Sequence, residues 1–255
     1  GYLSRIDSSS LDAAACMVDA MMSITALMLT LGLAFAGPQE DFALAADNSQ
    51  TQDIRMDAFF RLVRMGASNL NPLLDVATSA EAPMEQRWIA IRVLGRLDGS
   101  VARRTLLELS GDESAPVRAA ALEALGDQGN REVVDRVIPG LRDPAIIVRV
   151  SAATALASLA SPTAITALDD ALEDESNYRR GQSLWVRRYF VMALGDIGDD
   201  SAYPTLLRTL NDADQRVVDE TIGALEDIAG FSFSEGRDSE EERQAWVRWT
   251  QSRIP

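Results

Sequence analysis

The chain has 255 residues, and 39 acidic side chains outnumber 24 basic ones, all arginine, so that its net charge is −15. A surface this acidic repels nucleic acid and anionic lipid. The chain has no histidine and one cysteine, Cys16, so it lacks the usual general base, an intramolecular disulfide and a thiolate metal cluster. Any metal site would consist of carboxylates alone, and we predict no catalytic residue, no cofactor and no metal site.

The N-terminal region contains an apolar segment, residues 20–36, that carries no charge. Residues 24–36 have the length of a signal-peptide apolar region, and AFA before Gly37 fits a small-x-small cleavage site, although the usual basic flank is missing. We therefore expect residues 1–37 to be an export signal of a periplasmic or extracellular protein. Two alternatives stay open: an inner-membrane anchor, and an amphipathic or buried helix of a cytoplasmic protein.

A repeated pattern occupies residues 53–230, after an acidic polar stretch at residues 38–52 that predicts a linker or a first helix. Arginine recurs at positions 55, 87, 118, 149 and 187, with Val218 in the sixth place, and a leucine follows each position by seven residues. The successive gaps are 32, 31, 31, 38 and 31 residues. A period near 31 is typical of a solenoid built from stacked supersecondary units.

Each unit is predicted to contain two helices joined by a short turn. In the unit at residues 100–126, a first helix is followed by the turn GDESAP and then by VRAAALEALG, whose apolar residues share one helical stripe. Pro116 falls at the start of this second helix, where its missing N–H is harmless. Glycines at positions 95, 126, 195 and 230 are expected to mark helix ends.

Aspartates recur in the turns, six residues before the arginine position, and an insertion of seven residues separates one of them from its arginine. Such a carboxylate can cap the second helix and can accept a hydrogen bond from an arginine of the same or the next unit. We expect Arg118 to lie outside the core at a helix start, with a packed stem and with its guanidinium bound to turn carboxylates and carbonyls. The predicted Arg–Asp ladder consists of Asp112, Arg118, Asp143, Arg149, Asp174 and Arg187.

Four segments carry a family resemblance: DESAPVRAAALEALGDQG, DPAIIVRVSAATALASLA, WVRRYFVMALGDIG and, more weakly, MEQRWIAIRVLGRLDG. They resemble HEAT repeats of the short bacterial and phycobilisome-lyase-like kind. Over residues 53–230 the resemblance implies an all-α, right-handed superhelical solenoid of about six helical pairs. It also implies that the second helices of all units line one concave surface of the solenoid. We call this surface the second-helix face.

The C-terminal residues 231–255 break the period and are predicted to cap the solenoid. Trp246 and Trp249 lie at i, i+3 on a helix that Asp238 or Ser239 would open. An array must cover its last apolar face, so we predict a C-terminal capping helix. The alternative is an aromatic ligand site.

Two clusters are candidate sites for a partner. The first is Trp88, a large aromatic residue beside Arg92 and Arg96, at a position where most other units carry small or mixed residues. Tryptophan and arginine are common anchors of protein interfaces. The alternative is that Trp88 packs against a neighbouring unit.

The second cluster is the insertion at residues 176–183 with the helix start that follows it. Insertions in repeat proteins often carry function, and acidic flanks make a short acidic peptide, a carboxylate or a phosphate a better ligand than a polyanion. We expect deletion of residues 177–182 to leave stability nearly unchanged. The alternative is that Trp185 and Tyr189 are core residues and the arginines neutralise nearby acids. The candidate residues are Tyr178, Arg179, Arg180 and Arg188.

These observations predict a monomeric, non-enzymatic protein-binding scaffold or adaptor that uses the concave face and the insertion. Its partner would be a protein or an acidic peptide, not nucleic acid, and a membrane only if residues 20–36 remain as an anchor of a membrane-tethered adaptor. The family resemblance also allows an enzyme of the HEAT-like bilin lyase type. HEAT-like DNA glycosylases are disfavoured by the charge, and HEAT-type deoxyhypusine hydroxylases, which use histidine-containing iron motifs, are excluded because histidine is absent.

Overall fold

The structure is a computed structural model that describes residues 37–254. Cys16 and the apolar segment at residues 20–36 lie outside the described residues, so the expectation of a signal or an anchor is not addressed by it. No helix within residues 37–254 is long and apolar enough to cross a membrane.

The described helices form six pairs and one final helix. The first helices are α1 (Pro38–Ala46), α3 (Asn71–Thr78), α5 (Ser100–Leu109), α7 (Val134–Val137), α9 (Ile165–Glu173) and α11 (Tyr203–Thr209). The second helices are α2 (Gln52–Ser68), α4 (Met84–Leu94), α6 (Ala115–Asp127), α8 (Ile146–Leu159), α10 (Val186–Ile197) and α12 (Gln215–Ala229). The final helix is α13 (Ser239–Gln251). The predicted all-α solenoid of about six helical pairs with a C-terminal capping helix is confirmed.

Short 3-10 turns connect several of these helices. They flank α7 on both sides, precede α9 and α11, and follow α9, and they let the chain reverse direction within a few residues. Their bounds are Arg131–Val133, Ile138–Arg142, Pro162–Ala164, Glu175–Asn177 and Asp200–Ala202.

A leucine layer forms the centre of the core. The leucine seven residues after each arginine position is fully buried in every unit, as the period predicts for a residue that faces the neighbouring helix. Burial of one such side chain stabilises the fold by about 1.5–3 kcal/mol. These residues are Leu62, Leu94, Leu125, Leu156, Leu194 and Leu225.

Glycine allows the second helices to pack closely. A Cβ atom on Gly126 would lie 2.7 Å from the Cα atom of Ala155, and one on Gly195 would lie 2.8 Å from that of Ala224. Both glycines lie inside their helices, so the prediction that they mark helix ends was wrong for them. Gly230, with φ of 75°, does end a helix in the left-handed conformation.

Residues 38–52 were predicted to be a linker or a first helix, and they begin with the helix α1. Helix α1 packs on α2, and the buried carboxylate of Asp41 accepts a hydrogen bond of 2.8 Å from Nε of Arg61. Because this pair joins the two helices, it fixes α1 against α2.

Helix α13 closes the C-terminal end of the solenoid. Trp246 is fully buried and stacks on Phe231 at 5.4 Å, while Trp249 meets Tyr203 edge-on at 5.4 Å. The side chain of Asp238 caps the helix by accepting from the backbone N–H groups of residues 240 and 241. The two tryptophans therefore pack in the cap, as the prediction of a capping helix requires.

The insertion forms a small hairpin, which is the one departure from helix and turn in residues 37–254. Strand β1 (Tyr178–Arg179) pairs antiparallel with β2 (Gln182–Ser183). The turn residues Arg180 and Gly181 have φ of 53° and 77°. Left-handed conformation at both positions is typical of a two-residue type I′ turn.

Candidate protein-binding site

A groove opens on the second-helix face between α2 and α4. Its volume is ≈ 680 Å³, and its inner wall consists of Phe59 and Val63 of α2, Ile89 of α4 and Ala45 of α1. Helix α1 packs against both α2 and α4, so three helices hold the walls in place.

Large apolar side chains are exposed around this groove. Met56, Phe60 and Trp88 have exposed fractions of 44%, 49% and 43%. Met56 and Phe60 lie at i, i+4 on α2 and therefore share one face of the helix. Trp88 also lines a second pocket of ≈ 240 Å³ on the side of Met84. The alternative in which Trp88 packs against a neighbouring unit does not fit this exposure, and clustered apolar exposure of this kind marks interaction sites.

Arginine supplies the charged groups of the groove lining. Arg92 stacks on Trp88, with 5.3 Å between Cζ and the ring centroid, and its Nη1 donates to Oε2 of Glu123 at 3.3 Å. Nη2 of Arg96 lies 3.7 Å from Oδ2 of Asp127. These ion pairs are partly exposed and contribute little stability, but they orient the guanidinium groups at the rim of the groove.

A third arginine lies on the α2 side of the groove. Nη1 of Arg55 donates to Oδ1 of Asn48 at 2.9 Å, and its Nε is a buried atom without a hydrogen-bond partner in the described part of the chain. The charged residues that line the groove are thus all cationic, in a chain whose net charge is −15. The groove can offer hydrogen-bond donors to a carboxylate while its wall contacts apolar groups.

The Arg–Asp ladder lies in the turns between the paired helices and not in the groove. In three cases an arginine donates to the aspartate 25 residues further along the chain, in the next unit. These pairs are Arg87 with Asp112 at 2.9 Å, Arg118 with Asp143 at 2.8 Å, and Arg187 with Asp212 at 2.6 Å. Such charge-assisted bonds tie each unit to its neighbour.

These hydrogen bonds shift the acidity of the ladder residues. Burial alone raises the pKa of Asp143, but donation from Arg118 and from the backbone N–H of Ala145 outweighs it, so that the pKa lies below its usual value of 3.8. Burial likewise raises the pKa of Asp212. The hydrogen bonds from Arg187 and from the backbone N–H of Asp214 have the larger effect, so the pKa of Asp212 also lies below its usual value.

One predicted ladder pair is not formed. Nη1 of Arg149 donates to the backbone carbonyl of Asp143 at 2.8 Å, and its Nε has no partner within the described residues. The carboxylate of Asp174 instead accepts from the N–H of Ser176 at 2.8 Å and lies 3.7 Å from Nε of Arg142. The insertion starts directly after Asp174, and the 3-10 turn that it begins takes this carboxylate as its cap.

The ladder arginines differ in their burial. Arg87, Arg149 and Arg187 are buried, whereas Arg118 keeps a partly exposed side chain. Nη1 of Arg118 donates to the carbonyl oxygens of Asp112 at 2.8 Å and of residue 113 at 3.0 Å. Each buried guanidinium accordingly keeps at least one acceptor, as its desolvation demands.

The hairpin of the insertion presents only part of its predicted site. The ring of Tyr178 lies 4.6 Å from Cζ of Arg187, and its hydroxyl donates to the carbonyl of Leu172 at 3.2 Å, so this tyrosine faces the protein. Arg179 and Arg180 at the turn are exposed. Arg188 is half-buried, and its Nε lies 3.9 Å from Oε1 of Glu220.

The base of the hairpin belongs to the core. Asn177 is fully buried and donates to the carbonyl of Ala171 at 2.8 Å, and Ser183 accepts from Arg187 at 3.1 Å. Removal of residues 177–182 would break the bond of Asn177, and this argues against the expectation of unchanged stability. Trp185 is exposed and packs edge-on to Tyr189 at 5.5 Å, so it is not a core residue.

The structure does not bring the two predicted clusters together. Trp88 lies on α4 and Arg188 on α10, with α6 and α8 between them. Three interhelical steps of about 8–10 Å separate these helices by about 24–30 Å. Sequence reasoning missed the α2 side of the groove, Met56 and Phe60. The signal was the segment MDAFFRLVRM, which carries apolar residues on more than one face of its helix.

Comparisons with known proteins agree with this architecture. Residues 103–185 match the family of HEAT repeats, and residues 186–212 match the PBS lyase HEAT-like repeat. The deoxyhypusine hydroxylase of Candida albicans is 30% identical over 123 residues, which are 48% of this chain and 37% of that enzyme. The chain thus spans little more than a third of this relative.

Two solved structures share the fold. One, the complex of CpcE and CpcF of phycocyanin lyase from Nostoc sp. PCC7120, contains a chain that is 27% identical, with a TM-score of 0.53 over 63% of this chain and 65% of that chain. A Kap121p mutant is 17% identical with a TM-score of 0.51, over 75% of this chain and 25% of its own, which shows the fold alone. With these family matches, the chain carries HEAT repeats over residues 103–212, within a solenoid of stacked helical pairs that share one period.

Proposed function

We propose that this HEAT-repeat protein is a non-enzymatic protein-binding scaffold whose groove between α2 and α4 binds a segment of a partner protein. The segment would carry apolar side chains and at least one carboxylate. The observation that carries the proposal is Trp88, which is 43% exposed beside Phe60 and stacked under Arg92.

The apolar part of the groove supplies the affinity. Met56, Phe60 and Trp88 are each about half exposed, so covering one of them contributes about 1 kcal/mol through buried area alone, and an aromatic residue at the centre of an interface contributes about 2 kcal/mol or more. Aromatic residues and methionine are enriched at the centres of protein interfaces, where arginine is the commonest charged anchor. The composition of this groove therefore matches that of a protein-binding surface.

The arginines supply the preference for an acidic segment. The guanidinium groups of Arg92 and Arg96 are already oriented by Glu123 and Asp127, so a partner carboxylate would meet donors in a fixed position. The same acids make the groove a poor site for a nucleic acid, because a polyanion would be repelled by them and by the net charge of −15.

The turn of the insertion offers a second contact for an acidic partner. Arg179 and Arg180 are exposed there, and the hairpin holds them at a fixed place because Tyr178 is bound to Arg187. We include this turn in the proposed interaction surface, as a contact that adds to binding without forming a groove of its own.

The direct test is selection of random 16-residue peptides on the full chain. Selected peptides are expected to combine an aromatic or aliphatic residue with a nearby Asp or Glu. The variants Trp88→Ala and Phe60→Ala should weaken these peptides at least tenfold, while Ile147→Ala, an equally exposed apolar residue of α8, should not. If no such peptides are enriched, or if all three variants bind equally well, the proposal is wrong.

A lyase of the CpcE–CpcF kind is the second candidate, because the solved complex of phycocyanin lyase is 27% identical to this chain. The measurement that separates the two candidates is chromophore transfer. Incubation of the chain with an apo-phycobiliprotein and its bilin should leave the absorbance of covalent product at background if the scaffold proposal is right. A protein-dependent rise in covalent product would favour the lyase.

We also propose that the protein is exported and acts as a monomer with Gly37 as its mature N-terminus. Support comes from the uncharged residues 20–36 and the AFA sequence before Gly37. Mass spectrometry of the natural protein should find Gly37 first, whereas an intact apolar segment would favour a membrane-tethered adaptor. Size-exclusion chromatography with light scattering should give one chain per particle.

A further inference from the structure

A second groove lies on the second-helix face, between α8 and α10. Its volume is ≈ 490 Å³, and its lining includes Thr154 and Ser158 of α8 with Tyr189, Met192 and Asp196 of α10. Met192 is exposed, and the ring of Tyr189 reaches the groove from the next turn of the helix. The lining thus combines apolar and aromatic surface with hydroxyl groups and one carboxylate.

The charge of this groove is opposite to that of the first. Partial desolvation by its neighbours and the nearby carboxylate of Asp227 both raise the pKa of Asp196, although its side chain is exposed. No arginine of the described residues contributes to that shift, in contrast to Asp143 and Asp212 of the ladder. Asp196 of the groove lining therefore experiences the negative charge of Asp227 in the next unit, and a cation bound beside Asp196 would relieve that repulsion.

The change of sign follows one row of equivalent positions. Nine residues after the arginine position of each unit, the side chains along α4 to α12 are Arg96, Asp127, Ser158, Asp196 and Asp227. The first two pair with each other, with 3.7 Å between Nη2 and Oδ2. Only the far end of the row retains carboxylates that no arginine of the described residues offsets.

We propose that the groove between α8 and α10 binds a lysine or arginine side chain of the same partner segment whose acidic and apolar part occupies the groove between α2 and α4. The second-helix face then selects both the composition and the direction of that segment. The inference rests on the proposed function, since it concerns the other end of the same bound segment.

The residues of the second groove suit the stem and the head of a basic side chain. The ring of Tyr189 can contact an alkyl stem or the face of a guanidinium, and the flexible thioether of Met192 adapts to either. Asp196 and Asp227 supply the counter-charge for the head group. A segment with only acidic residues would be repelled by these carboxylates, so it does not fit both grooves.

The distance between the grooves sets the spacing in the partner. Helices α4 and α10 are three interhelical steps apart, about 24–30 Å. An extended chain advances about 3.3 Å per residue, so the basic residue should follow or precede the apolar and acidic anchor by about seven to nine residues. A fixed spacing is the property that separates one continuous segment from two unrelated contacts.

The test compares random 16-residue peptides selected on the full wild-type chain with those selected on the double variant Asp196→Asn/Asp227→Asn. On the wild type we expect Lys or Arg to be enriched at one spacing from the acidic and apolar anchor. On the double variant this enrichment should disappear while the anchor remains. Neither aspartate is buried, so both variants are expected to fold, as far-UV circular dichroism can verify.

A synthetic peptide from the selection gives the magnitude. Replacing its basic residue by Met should weaken binding to the wild type by about three- to fivefold, as for a partly exposed charge pair, and should change binding to the double variant less than twofold. An enriched anchor without any basic preference, or an equal loss on both proteins, overturns the inference and leaves the proposed function standing. Absence of the anchor itself overturns the proposed function and the inference together.

Discussion

The two ends of the solenoid differ in the exposure of their large apolar side chains. At the C-terminal end, helix α13 covers the last pair, and Trp246 is 0% exposed. At the first two pairs, Phe60 and Trp88 remain about half exposed around an open groove. Trp246, which closes the array, is thus surrounded by other aromatic rings. Trp88 instead stacks on Arg92 and leaves 43% of its surface exposed to solvent.

This difference separates stability from recognition. A covered apolar side chain stabilises the fold through the surface it removes from water, and an exposed one can contribute only when a partner covers it. Substitutions at the two ends should therefore affect different measurements, and the predictions below depend on that separation.

The largest effect is expected at the covered end. Trp246→Ala removes a fully buried side chain that contacts Phe231 and Phe233, so the free energy of unfolding should fall by about 3–5 kcal/mol. Urea denaturation followed by circular dichroism measures this change. A loss below about 1 kcal/mol would mean that α13 is not a structural cap.

Glycine packing between the second helices gives the next test. Gly126→Ala places a Cβ atom 2.7 Å from the Cα atom of Ala155, and this overpacking should destabilise the fold by about 1–3 kcal/mol. Gly223→Ala in α12 is the matched control, since nothing lies within 4 Å of its added Cβ atom. The control should stabilise by about 0.5–1 kcal/mol, because alanine favours a helix interior. Equal signs for the two variants would contradict the close packing described here.

The ladder provides a matched pair of aspartates. Asp212→Asn removes the negative charge that pairs with the buried Arg187 and should cost about 2 kcal/mol. Asp174→Asn, at the unformed ladder pair, should cost less than about 0.5 kcal/mol, because the amide oxygen of asparagine can still cap the 3-10 turn. Thermal unfolding of both variants decides between them. If Asp174→Asn is as harmful as Asp212→Asn, Asp174 does form the missing ladder pair in solution.

Acid should weaken the same ladder. The pKa values of Asp143 and Asp212 are lower in the folded chain than the usual 3.8. Their stabilising contribution is therefore complete above that value and is lost as the pH falls through the lower folded pKa. The free energy of unfolding should drop as the pH falls below about 4, and the drop should be smaller in Asp212→Asn. An identical pH dependence in the variant would rule out this cause.

Most of the fold could be predicted because a few residue types recur at fixed positions of each repeat. The buried leucine of each unit and the arginine seven residues before it give the number of pairs and their register. The diversion of Asp174 could not be predicted in the same way. It depends on the backbone of the insertion, where Arg180 and Gly181 adopt left-handed conformations and a 3-10 turn uses the carboxylate as its cap.

The candidate site was predicted only on one side. Trp88, Arg92 and Arg96 stand out because other units carry smaller residues at equivalent places. Met56 and Phe60 lie at the equivalent positions of the first unit, so the period places them on the same face as Trp88. Their exposure depends on which helices cover α2, and this coverage follows only from the packed structure.

The central claim, that the aromatic residue at the open groove serves binding and not stability, is tested most directly by Trp88→Ala. The account predicts a change in the free energy of unfolding below about 1 kcal/mol, together with at least a tenfold loss of affinity for peptides selected on the wild-type chain, measured by fluorescence anisotropy. A variant that loses about 3 kcal/mol of stability, or that binds those peptides as tightly as the wild type, would contradict it.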